Sequence, residues 1–213
     1  LAQFKDAENF QEFCFALNKI VDKLNVSASN QHFRSDVFIQ FETGTVNHGG
    51  EFLPKLLTAI KNKFIVFFDY SSFISGQRKR RKVLPLLLKE YRNRWYLLCY
   101  DFVKENVITY GLDRMNDLEV TDQIGESPKN FNPDLFFKFA IGITANNALP
   151  SKVQFKASRI AAKYIDSQPF HQSQKQFSED ENWVFFEMFV APSEELYRNF
   201  LSYGGDLVVM SPP

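Results

Sequence analysis

Between Lys63 and Thr121 the hydrophobic pattern takes on the period of strands, and five strand-like runs follow one another with very little sequence between them. They are KFIVFFDY (63–70), RKVLPLLLK (81–89), RWYLLCYD (94–101), NVITYGL (106–112) and DLEVT (117–121). Parallel neighbours need a crossover of a dozen or more residues, usually a helix, between each pair. Connections this short therefore predict antiparallel pairing, and five short strands so joined predict a small barrel. Pro85 offers no N–H to a ladder, so the second run is expected at a sheet edge or to carry a bulge.

Helical periodicity precedes this block. Phe10, Phe13, Leu17, Val21 and Leu24 predict an amphipathic helix over 7–24, VFIQF (37–41) a short strand, and 52–62 a second helix with Pro54 tolerated in its first turn. Beyond the block, Asn132-Pro133 opens a short helix in a transition that runs to Pro150. Strand 153–157, helix 158–165, strand 170–177, an acidic turn at 179–182, strand 183–190, helix 193–202 and strand 207–210 then follow. This β-α-β-β-α-β order predicts a ferredoxin-like sandwich. The fold class is α+β, and the expected division is 1–54 linker and helical region, 55–125 barrel, 126–150 connection and 151–213 second domain.

Composition narrows the function classes. Lys plus Arg and Asp plus Glu each count 25, so any attraction to polyanions must come from local clustering. The two cysteines, Cys14 and Cys99, are far apart and predict neither a metal clip nor a disulfide framework, which suits a reducing, cytoplasmic setting. No apolar run is long enough for a bilayer, and the start at Leu1 without an initiator Met or signal pattern suggests a fragment. His32, His48 and His171 lie in separate segments, and no phosphate-loop, dinucleotide or nucleophile-elbow motif occurs. The expectation is a non-enzyme without cofactor or metal.

The local cluster is Arg78-Lys79-Arg80-Arg81-Lys82, followed one strand later by Trp95, Tyr96 and Tyr100. Cations beside aromatic rings can hold phosphates and stack bases, although a charged block in a loop is more often simply solvated. Alternation puts Trp95, Leu97 and Cys99 on one face of the third run and Tyr96, Leu98 and Tyr100 on the other. Trp95 is assigned to the core and Tyr96 to the wet face. Tyr70, Arg81 and Arg114 are expected to meet at one mouth, with Arg78, Arg80 and Lys82 around them; a salt bridge from Arg114 to Asp113 or Asp117 weighs equally with ligand binding.

These residues resemble the WYL-domain family. Tyr70, then Arg81-Lys82-Val83-Leu84-Pro85, then Trp95-Tyr96-Leu97, then Tyr110-Gly111-Leu112-Asp113-Arg114 stand in that family's order. The last third is similar to the WCX extension that often follows, through His171-Gln172-Ser173-Gln174 and the terminal Val208-Val209-Met210-Ser211-Pro212. The resemblance covers residues 55 to 213 and departs from the family pattern at Leu84, where His is common, and at Gly111, where Arg is common.

What the resemblance implies is an Sm-like, SH3-like five-stranded barrel that senses a ligand in a bacterial transcription regulator. Its partners would be a nucleic acid or nucleotide-like effector and operator DNA, the latter through an N-terminal helix-turn-helix missing from this chain, with a homodimer and no membrane. The ligand residues would be Tyr70, Arg78, Arg80, Arg81, Lys82, Tyr96 and Arg114, and His171, Ser173 and Gln174 would either line a shared cleft or tie down a strand. The alternative is an Sm-like module that binds single-stranded nucleic acid or drives assembly without a regulatory role.

Overall fold

The structure is a computed structural model that describes residues 49–212 except 74, 130 and 146–148. The expected helix at 7–24 and strand at 37–41 lie outside these residues. Gly44–Pro213 form one compact unit containing two antiparallel sheets.

Helix α1 (Leu53–Asn62) carries Pro54 in its first turn, where the missing N–H costs nothing, and buries Leu56 and Ala59. Five strands follow: β1 (Phe64–Ser71), β2 (Arg78–Tyr91), β3 (Arg94–Asp101), β4 (Asn106–Gly111) and β5 (Met115–Ile124). Their order is β4-β3-β2-β1-β5, with every neighbouring pair antiparallel. The edge strands β4 and β5 are not paired, so the expected barrel is an open five-stranded sheet. The apolar face that closure would seal is covered by α1, whose Leu56 and Ala59 join Val66, Phe68, Val83, Leu97 and Cys99 in one core.

Strand β2 differs from expectation in two ways. It begins at Arg78, so the basic run lies in a strand rather than in a loop. It also sits centrally between β1 and β3, and of the two alternatives for Pro85 the bulge holds: the register shifts between Pro85 and Leu87. Trp95 packs against the core as expected. Tyr96 does not face water: it is buried together with Leu84 and Leu98. The reason is a second cover. Gly125 packs on Leu84 and Ile65, and Lys89 Nζ lies 3.8 Å from the ring centre of Phe137, just after the short helix α2 (Pro133–Phe136).

The second sheet comprises β6 (Ser151–Ser158), helix α3 (Arg159–Ser167), β7 (Lys175–Glu179), β8 (Trp183–Val190), helix α4 (Glu194–Leu201) and β9 (Leu207–Ser211), in the order β7-β8-β6-β9. Ser158 and Ser193 cap the two helices through their side chains. The strand expected from Phe170 starts only at Lys175, because residues 170–174 form a turn closed by the Gln174 N–H donating to the His171 carbonyl at 2.9 Å. Both helices cover one face, where Ala161, Ile165, Leu196 and Phe200 meet Phe155, Phe186 and Met188.

Candidate ligand site

Alternation along β2 divides the basic run. Arg78, Arg80 and Lys82 stand opposite Ser71, Asp69 and Phe67 on the outer face, while Lys79 and Arg81 stand opposite Tyr70 and Phe68 on the core face. The outer cations are engaged. Arg78 pairs with Asp69 at 2.9 Å and also with Asp117, and Arg80 pairs with Glu119 at 2.8 Å and donates to the Asp117 carbonyl at 3.0 Å. Lys82 lies between the rings of Phe67 and Phe102, 5.9 and 5.5 Å from their centres. The expected collar is thus an acid-base ladder on the far side of the sheet.

Arg81 occupies a different environment. Its side chain is 14% exposed, and its guanidinium lies 5.9 Å from the centre of the Tyr110 ring. Its nearest acid is the wholly buried Asp101, at 3.8 Å, too far for a hydrogen bond. Asp101 is occupied by others: Oδ1 accepts the Val103 and Lys104 N–H groups at 2.8 and 3.1 Å, and Oδ2 accepts the Tyr110 hydroxyl at 2.6 Å. Burial, then that hydrogen bond to Asp101, push the Tyr110 phenol far above its ordinary range.

Tyr70 and Tyr110 meet edge to face with ring centres 4.5 Å apart. The Arg114 guanidinium covers Tyr70 from the other side at 5.2 Å and lies 4.7 Å from the Phe73 ring centre. Burial raises the Tyr70 phenol, and Arg114 and the Gly111 amide pull it back. Gly111 makes this arrangement possible. A Cβ there would fall 2.5 Å from Asp113 Oδ1 and 2.6 Å from a terminal nitrogen of Arg114. The position lacks a side chain because Arg114 and Asp113 fill its space.

Arg81, Tyr110, Tyr70 and Arg114 therefore form one continuous row. The Nε atoms of both arginines are buried without a hydrogen-bond partner, as is Asp113 Oδ1. Arg114 does approach Asp113, the ion pair weighed from the sequence, but at 3.5 Å and with neither atom satisfied. A buried donor left unmade costs about 1–3 kcal/mol. Two such guanidinium groups beside aromatic rings suit an anion that supplies acceptors.

Tyr96 is buried opposite Gly111 of β4; burial raises its phenol, with Arg94, Asp113 and Arg114 among the charges that act on it. Tyr110 and Asp101, which order the row, were not singled out from the sequence. Tyr110 stands within a quoted motif, and Asp101 was legible as an acid ending an otherwise apolar strand.

His171, Ser173 and Gln174 tie down their own turn. The Ser173 N–H donates to His171 Nδ1 at 3.1 Å, so Nε2 carries the proton and donates to the Lys138 carbonyl at 3.0 Å. Ser173 Oγ accepts the Phe189 N–H at 2.9 Å, and Gln174 Oε1 accepts the Phe170 N–H at 3.0 Å. Cys99 is buried and its thiol is pushed well above its usual range by burial and then Asp101, which makes it a packing residue. Among the described residues no His, Cys, Asp and Glu cluster could hold a metal, and no helix is long and apolar enough to cross a membrane.

The first sheet thus has α1 across one face and carries the arginine-tyrosine row. Residues 51–120 match the family model described as the WYL domain. Several solved structures are similar, among them the following two. Proteasome accessory factor B/C (PafBC) of Arthrobacter aurescens aligns over 78% of this chain and 25% of its own, at 19% identity and a TM-score of 0.41. A structure described as a CRISPR Cas-related protein aligns over 74% of this chain and 46% of its own, at 13% identity and a TM-score of 0.48. The chain thus spans less than half the length of either. No curated protein matches it.

Proposed function

We propose that this chain is the effector-sensing region of a bacterial WYL-type transcription regulator, cytoplasmic and non-enzymatic. Residues 55–125 form the sensing domain, 126–150 the connection and 151–213 a WCX-type, ferredoxin-like domain. The effector is a phosphate-bearing nucleic acid or nucleotide, held by Arg81 and Arg114 with its base against the Tyr70–Tyr110 pair. The observation that carries this reading is the pair of guanidinium groups whose buried Nε atoms lack partners on either side of two packed tyrosine rings. Binding acts on a homodimer and thereby on the spacing of helix-turn-helix modules outside these 213 residues, because an effector works only through unequal affinity for two states.

The test is titration of nucleoside phosphates and labelled single-stranded oligonucleotides across salt concentrations. Nucleotide binding that disappears in the Arg81→Ala, Arg114→Ala double variant supports the reading. Nucleotide binding absent at low salt, or unchanged in that variant, ends it.

A further inference from the structure

The second sheet has one face under its helices and its other face largely open, with the Phe139 ring edge-on to Phe189 at 5.5 Å between ring centres. On β8 the buried residues Val184, Phe186, Met188 and Val190 alternate with Trp183, Phe185, Glu187 and Phe189, which stand on the open face. Register places Lys156 opposite Phe185, Gln154 opposite Glu187 and Lys152 opposite Phe189 on β6, and Lys175 of β7 also opposite Glu187. Phe177 adds a further ring, with its centre 6.2 Å from that of Phe185. Phe177 and Phe189 are each 46% exposed, unusual for phenylalanine in the two inner or flanking strands of a sheet.

We propose that this open face is a binding platform for single-stranded nucleic acid, with bases stacking on Phe185, Phe189 and Phe177 and phosphates held by Lys152, Lys156 and Lys175. The site is separate from the Arg81 row and does not depend on it.

Rings on a pleated face alternate with cations, which is the combination that binds unpaired strands: each base offers a flat face to stack, and each phosphate offers a charge to neutralise. Lys156 Nζ already lies 4.5 Å from the centre of the Trp183 ring. Glu187 does not make the face acidic. It is shared between Lys152 at 3.1 Å and Lys175 at 3.0 Å and also accepts from Gln154, and on the open face of β6 and β8 it is the one acid among these lysines. The competing occupant is a second copy of the chain. A two-fold contact through this face would bring lysines against lysines, and lysine is depleted from protein interfaces. Charge complementarity therefore favours a polyanion.

The experiment uses the whole chain with a fluorescein-labelled oligo(dT) of about a dozen nucleotides, a length within the reach of one small domain. Phe185→Leu with Phe189→Leu keeps an apolar face but removes stacking, and should weaken binding by at least about tenfold, whereas Phe185→Trp with Phe189→Trp should retain it. Lys152→Gln with Lys156→Gln should lower the slope of log K against log salt by about 1.4. Photo-crosslinking should place thymine on peptides containing Phe177 or Phe185. The proposal is overturned if the leucine variant, folded by circular dichroism, binds as well as the parent while Arg81→Ala with Arg114→Ala abolishes binding. It is equally overturned if the leucine variant changes only the molar mass in light scattering, which would assign the face to a second copy. Loss of nucleotide binding in the arginine variant with oligo(dT) binding intact would leave this platform standing whatever the fate of the first site.

Discussion

Tyr110 and Arg81 approach the same oxygen and only Tyr110 bonds to it. Asp101 Oδ2 accepts the phenol at 2.6 Å, while Arg81 stands off at 3.8 Å. The tyrosine thereby keeps the arginine from being consumed by its nearest acid among the described residues.

Tyr110→Phe should release that oxygen. Arg81 then closes onto Asp101 as a charge-assisted pair, and affinity for a phosphate ligand falls roughly tenfold although no ligand-facing cation has been removed. Calorimetric titration of a nucleotide against both proteins checks this; unchanged affinity would mean that Tyr110 does not hold Arg81 available.

Gly111→Ala should act on Arg114. The added methyl falls on the atoms of Arg114 and Asp113, both movable side chains, so the expected outcome is displacement of the guanidinium from Tyr70. Nucleotide affinity should drop to the level of Arg114→Ala, and denaturant midpoints should change by less than about 1 kcal/mol equivalent, since the backbone there is already extended.

Arg78→Ala with Arg80→Ala should leave nucleotide affinity within about threefold of the parent, against the expectation that a basic run supplies the binding charge. Their partners are Asp69, Asp117 and Glu119 on the outer face, and exposed pairs of this kind contribute about 0–1 kcal/mol each. A large loss of affinity would return these residues to the site.

His171 should make stability depend on pH. Burial lowers its pKa below the ordinary value of 6.5, against the Lys138 carbonyl, which favours the charged form. As pH falls below 6.5 the unfolded chain takes up the proton first, so this contribution is complete above that value and is lost down to the lowered folded pKa. Urea titrations at several pH values should show a decline on acidification that is shallower in His171→Gln.

How much of this was legible follows from where each signal lies. Strands 94–101 and 183–190 emerged residue for residue, because alternation and flanking turns are local. Tyr96 was expected to face water because β3 was read as half-buried, whereas its second face is covered as well. The division of the basic run needed the register of β2 against β1, and the acids that engage it lie up to 39 residues away. The first sheet is open, and α1 covers its apolar face, a packing that the helix's own periodicity does not announce. The lysines and rings of the second sheet were each visible, but only the pairing of β6, β7 and β8 assembles them into one surface.

Strand β2 runs from Arg78 to Tyr91, and the hairpin it enters places Arg92 against Asn199 of α4. At about 3.3 Å per residue its contour is roughly 40 Å, with a single joint at the Pro85 to Leu87 bulge. Arg81, near one end of this strand, and the turn beyond its other end, which touches the second sheet's helix, are thus joined by one continuous stretch of backbone interrupted only by that bulge.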